Sequence, residues 1–190
     1  MKKLETLLKD YENHVVERGS RGIPPLPLNA EQTNCITQLL EKDTNYESKY
    51  LLDLLINRVP PGVDEAAYVK ASWLTAIING EKHCKFINPQ KAIKILGTMI
   101  GGYNVNSLIE ILKSEDNELA KEAAQVLKNI ILVYDAANDI FDLSQNNIYA
   151  KEVVNSWANA EWFINKKVLE KEITCLVFKV DGETNTDDLS

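Results

Sequence analysis

An all-α fold, a stack or bundle of about eight helices, follows from three features of this 190-residue chain. Apolar residues recur at three- and four-residue steps through most of its length. Asn and Asp stand where helices should open, and Gly and Pro where they should stop. The connections left between these segments are short, as in packed helical domains. No close self-similarity appears at a fixed period, so any repeats are degenerate.

Leu4, Leu7, Leu8, Tyr11 and Val15 form the stripe of a first helix, which Gly19 and Gly22 end. Residues 23–28 carry three prolines, which hold the backbone near polyproline II and forbid helix. That segment reads as an apolar connector packed on its own domain, or else as a ligand for a Pro-binding module. Asn29 opens the second helix with Gln32 at the capping-box position, ahead of Ile36, Leu39 and Leu40. A third helix covers about 47–57, with Tyr50, Leu51, Leu54 and Leu55 inward, until Pro60-Pro61-Gly62 breaks it. Asp64 opens the fourth, whose stripe is Ala66, Val69, Trp73, Ala76 and Ile77, closed by Gly80. Asn88-Pro89 starts the fifth, since Pro at the first helical position lacks only an N–H that would be orphaned anyway. After Gly101-Gly102, a loop that lets two helices turn sharply, Leu108, Ile109 and Leu112 mark a sixth.

The longest stripe, Leu119, Ala123, Val126, Leu127, Ile130 and Tyr134, predicts one continuous helix, and a last helix runs over about 147–165. Trp73, Leu96, Leu127, Ile130 and Trp157 are the expected core. The period then changes: residues 173–180 are β-branched and aromatic, with a turn signal at Asp181-Gly182. One strand cannot make a sheet. The expected division is therefore a helical domain over 1–165 and, over 166–190, the first strand and loop of a truncated second domain.

With 21 Lys+Arg against 28 Asp+Glu the net charge is −7, which gives no broad attraction to nucleic acid or anionic lipid. No uncharged apolar run approaches the roughly 20 residues that cross a bilayer, and nothing resembles a signal peptide, so the expected location is cytoplasmic. Cys35, Cys84 and Cys175 lie too far apart in sequence for a disulfide framework or an iron–sulfur or zinc motif. His14 and His83, the only histidines, suggest no catalytic dyad. Glu115, Asp116, Glu118 and Glu122 complement the positive end of a helix, and Trp157, Trp162 and Phe163 read as packing rather than a ligand cage.

Four stretches resemble the N-terminal part of the bacterial B-type aconitate hydratases: 51–70 (LLDLLINRVPPGVDEAAYVK), 91–104 (KAIKILGTMIGGYN), 156–163 (SWANAEWF) and 177–190 (VFKVDGETNTDDLS). They fall in the right order and the resemblance runs from about Leu7 to Ser190. It implies a HEAT-like domain followed by the start of a swivel domain, in an enzyme that interconverts citrate and isocitrate through cis-aconitate. It also implies a [4Fe–4S] cluster in the intact enzyme, none of whose ligands match Cys35, Cys84 or Cys175. Thr186-Asp187-Asp188-Leu189 resembles an active-site loop of aconitases, which makes Asp187 the one candidate catalytic residue, and only in the intact enzyme.

The resulting expectation is an interaction and gating module without activity of its own. Its partners would be the remaining domains of the enzyme, with self-association or other protein partners also served by the helical surface. The alternative is a stand-alone helical scaffold derived from the enzyme. A complete small enzyme using Asp187-Asp188 with His14 or His83 is disfavoured, because a strand without its sheet holds no catalytic loop to the needed precision.

Overall fold

The computed structural model describes residues 2–42, 48–165, 168–177 and 182. Among them are ten helices: α1 (Lys2–Ser20), α2 (Ala30–Glu41), α3 (Ser48–Asn57), α4 (Glu65–Ile78), α5 (Pro89–Leu96), α6 (Val105–Leu112), α7 (Asn117–Leu127), α8 (Ala136–Leu143), α9 (Ile148–Ala158) and α10 (Glu161–Ile164). The all-α expectation holds, with two more helices than the sequence reading separates. The chain divides into two compact units, one of residues 28–166 and one of residues 1–27 with 167–190.

In the larger unit, α2, α4, α5, α7 and α9 pack in succession as a spine. The other helices flank it: α3 lies on α2, α6 on α7 and α8, and both α8 and α10 on α9. Small residues let the spine close up. Ala66, Ala67, Ala92, Ala120, Ala123, Ala124 and Ala150 are all completely buried, interleaved with Leu74, Ile93, Leu96, Leu108 and Leu127. Gly97 serves the same end, since a Cβ there would stand 2.6 Å from a methyl of Val126 on α7.

Cap chemistry sets the helix starts. Asn29 Oδ1 accepts from the Gln32 N–H at 2.8 Å while the Gln32 side chain accepts from the Asn29 N–H at 3.0 Å, the reciprocal box read from the sequence. Asp64 caps α4 through the Ala66 N–H at 2.7 Å, and Asn88 caps α5 through the Lys91 N–H at 2.8 Å. Asp116 caps α7 through the N–H groups of Glu118 and Leu119.

Two boundaries differ from expectation. The stripe over 119–134 is not one helix: α7 ends at Leu127, and Tyr134, expected inside, is exposed with φ +50°. Ile130 still reaches the core from the non-helical segment, which is why its spacing mimicked a helix. The last helix breaks at Ala160, where φ is +53°, separating α9 from α10. Trp73, Leu96, Leu127 and Ile130 are buried, and Trp157 is half-buried with its Nε1–H donating to the Leu127 carbonyl at 3.0 Å.

The expected strand does not form over its described part. Residues 173–177 are exposed and carry no ladder, and 178–180 lie outside the described residues. Among the described residues no second strand takes its backbone groups.

In the smaller unit, α1 clasps the proline-rich segment. Tyr11 donates its hydroxyl to the Leu26 carbonyl at 3.1 Å, His14 Nε2 accepts from the Leu26 N–H at 3.0 Å, and Arg18 Nε donates to the Pro24 carbonyl at 2.9 Å. The three side chains share one helix face. The connector reading of 23–28 fits this geometry.

Replacing Asn29 with Ala removes half of the capping box and leaves α2 orphan donors, at a cost of about 1 kcal/mol. Urea unfolding should show a lower midpoint with an unchanged slope.

Candidate functional site

The stretches 51–70 and 91–104 are far apart in sequence and interlock in the larger unit. The turn after α3 and the loop between α5 and α6 meet backbone to backbone. Ile100 N–H donates to the Pro61 carbonyl at 2.8 Å, and a Cβ on Gly101 would fall 2.1 Å from the carbonyl atoms of Gly62. Only glycine fits at 101. Gly102 adds a φ of +95°, a conformation that side chains resist.

Two buried polar residues brace this junction. The Asn104 amide donates to the carbonyls of Leu96 at 2.8 Å and Met99 at 3.1 Å, so it holds the loop against the end of α5. Lys70 lies on α4 with 1% of its surface exposed, and its ammonium donates to the Ile56 carbonyl in the last turn of α3 at 3.2 Å. That carbonyl lies at the negative end of the helix, where a cation is favoured. Burial nevertheless dominates and lowers the Lys70 pKa from 10.5 to about 8.

Above the braces sits an aromatic ledge. Tyr68 on α4 and Tyr103 in the loop meet edge to face, with ring centroids 5.4 Å apart and planes at 71°. Tyr103 donates its hydroxyl to the Val63 carbonyl at 3.1 Å. Both rings keep substantial exposure, as do Val63 and Ile100 beside the junction. Tyr68 and Tyr103 border an open groove of about 350 Å³ lined also by Ser72, Thr75, Asn79 and Ser107. Thr75 Oγ1 donates to Ser107 Oγ at 2.8 Å across it, tying α4 to α6. Hydroxyls and an amide dominate the lining, and its acid, Glu81, accepts from the Asn79 amide.

The remaining sequence candidates separate. Asp187 lies outside the described residues, as does Asp188. His14 belongs to the smaller unit and His83 to the larger. Cys35 and Cys84 are buried and Cys175 is exposed, and burial raises the Cys35 pKa, with Glu31 adding to the effect. Among the described residues no three His, Cys, Asp or Glu side chains come together as a metal ion requires. These residues do not fit an iron–sulfur cluster, which thiolates would have to hold. In the acidic group Asp116 is a helix cap and Glu122 pairs with Lys94 at 3.4 Å.

Sequence reasoning missed Lys70, Tyr68 and Tyr103 as a set. Their signal was present in the two long stretches that carry the family resemblance, and only the fold shows that the stretches touch.

A family model described as the aconitate B N-terminal domain matches residues 10–163. The chain belongs to the aconitate B N-terminal domain family. It is 56% identical over 184 residues to the aconitate hydratase B of Synechocystis sp., with 97% of this chain and 21% of that relative covered. Against the aconitate hydratase B of Escherichia coli it is 50% identical over 185 residues, covering 97% of the chain and 21% of the relative. The Helicobacter pylori enzyme gives 50% over 187 residues, covering 98% and 22%. The chain thus spans about a fifth of the length of the curated relatives it matches.

Two outcomes test the junction. Gly101→Ala should cost about 3 kcal/mol in urea unfolding, because the backbones must part to admit the methyl, and it should reduce the near-ultraviolet circular dichroism of the edge-to-face tyrosines. For Lys70 the folded pKa lies below the unfolded one, so between pH 8 and 10.5 the unfolded chain holds the extra proton. Stability rises with pH across that window, and below it the buried ammonium costs on the order of 3 kcal/mol. Lys70→Met abolishes that rise, so the variant's stability relative to the parent should fall from pH 7 to pH 10.5.

Proposed function

We propose that the chain is the N-terminal interaction and gating module of an aconitate hydratase. The whole enzyme would interconvert citrate and isocitrate through cis-aconitate in the tricarboxylic acid cycle, in the cytoplasm. The observation that carries this reading is identity of 56% across nearly the whole chain, matched to only a fifth of the relative. Residues 1–165 would form the HEAT-like domain and 166–190 open the swivel domain. The partners are then the remaining domains of the same polypeptide, and these would supply the [4Fe–4S] cluster that the described residues do not fit.

The chemistry of the described surface supports a module without catalysis of its own. Lys70, the buried amine, is closed off from solvent and engaged with a main-chain carbonyl. The groove beside Tyr68 and Tyr103 offers hydroxyls and an amide rather than an acid–base pair. Asp187 would join the active-site cleft when the swivel loop is complete.

The test is a chimera in which residues 1–190 replace the matching fifth of the Synechocystis enzyme. The chimera should convert citrate to isocitrate, and Asp187→Asn in it should lower kcat on the order of 100-fold or more. The 190-residue chain alone should convert neither, even after treatment with iron and sulfide. Turnover by the chain alone, or a correctly folded chimera with no activity, overturns the reading.

A further inference from the structure

We infer that Asn79 is a site of spontaneous covalent modification: its side-chain amide leaves as ammonia, and a carboxylate in the normal or the isoaspartyl linkage takes its place in the groove beside Tyr68 and Tyr103. The site stands apart from the module reading above.

Residues 79 and 80 are the one Asn-Gly pair in the chain. The reaction is an attack by the next residue's backbone nitrogen on the asparagine Cγ, and glycine has no Cβ to hinder that approach. The fold leaves the pair open to it. Asn79 stands at the C-cap of α4, both residues are exposed, and a Cβ built on Gly80 would meet no atom within 4 Å. Asn155-Ser156, another pair whose second residue is small, lies inside α9 with Ser156 buried.

The closed cap holds the reacting atoms apart. Asn79 has a ψ of −4°, which sets the Gly80 nitrogen beside the Asn79 nitrogen rather than beside its Cβ. The Gly80 N–H donates to the Ile77 carbonyl at 3.1 Å. Attack therefore follows opening of this last turn, and exposed helix ends open at low free energy. The Gly80 nitrogen gives its proton to solvent hydroxide and bonds to Cγ. The Cγ–Nδ2 bond breaks, ammonia leaves, and a five-membered imide remains. Water then opens the imide at either carbonyl. Cleavage at Cγ gives aspartate, and cleavage at the main-chain carbonyl gives isoaspartate. The net change is an amide and water converted to a carboxylate and ammonium, with no oxidation.

Either product alters the groove. Asn79 Nδ2 now donates to Glu81 Oε1 at 3.3 Å, and a carboxylate in its place sets like charges against each other. The isoaspartyl product also puts an extra methylene into the main chain ahead of Gly80. The N–H groups of Glu81 and Lys82, which donate to the Ala76 carbonyl at 2.9 and 3.1 Å, lose their register. Lys82 pairs with Glu41, which also accepts from Trp73 Nε1–H at 2.6 Å, so the change reaches a link between α4 and α2.

Peptide mapping of the 190-residue chain during storage in mildly alkaline buffer tests this, with methyl transfer from S-adenosylmethionine by an isoaspartyl methyltransferase as the probe of the iso linkage. The peptide carrying Asn79 should convert to the acid and accept methyl groups, while the peptide carrying Asn155 stays unchanged. In the converted fraction, hydrogen exchange at the Glu81 and Lys82 amides should quicken by about tenfold or more. Asn79→Gln, whose longer side chain would have to close a larger ring, should abolish conversion and leave that exchange slow. Unfolding the chain in urea should speed conversion, because the cap no longer has to open. Retention of Asn79 in the folded chain while the urea-unfolded chain converts overturns the inference. So does conversion of Asn155 at the same pace, which would make the chemistry indifferent to this cap. Both results leave the module reading, which turns on the activity of the chimera, where it stands.

Discussion

The approach of Gly62 and Gly101 is the constraint on which the middle of the molecule depends. Two main chains lie so close that no side chain fits between them, and the Ile100–Pro61 hydrogen bond fixes their register. The turn that launches α4 is thereby fastened to the loop that launches α6. Thr75 and Ser107 then meet, and Tyr68 and Tyr103 pack edge to face. A contact made only of backbone is unforgiving, since no rotamer can relax to admit an added atom.

Local chemistry was the legible part of the fold. Asn29, Asp64 and Asn88 announce their helices because a cap is a bargain among residues two or three apart. The breaks at Lys128 and Ala160 were hidden for the complementary reason. Lysine and alanine are good helix formers, and the chain leaves the helix there to satisfy tertiary packing that sequence spacing does not encode. The strand read over 173–180 does not form over 173–177, as pairing needs a neighbour that is not found among the described residues. The candidate site was legible as two stretches of family resemblance and illegible as a site. Nothing periodic connects position 62 to position 101.

Lys70 shows how a helical stack manages charge in its interior. A neutral residue of equal length would be easier to bury, but it would leave the last turn of α3 with an unpartnered carbonyl facing the core. The ammonium satisfies that group at the expense of its own hydration, which is why its proton is held loosely. Asn104 solves a similar problem with a neutral amide and bridges two carbonyls at once. The two braces flank the glycine contact, one from α3 and α4, the other from α5 and its loop.

The clasp of α1 on the proline-rich segment has an evolutionary corollary. Tyr11, His14 and Arg18 read main-chain atoms of residues 24 and 26. Drift in side-chain chemistry along 24–27 therefore leaves those three bonds standing, provided the extended backbone survives. Proline itself meets a limit in this proline-rich run: at position 26 it would delete the N–H that His14 accepts. Related sequences should thus vary freely in the character of residue 26 while avoiding proline there, and substitutions of Tyr11, His14 or Arg18 should be the rarer events.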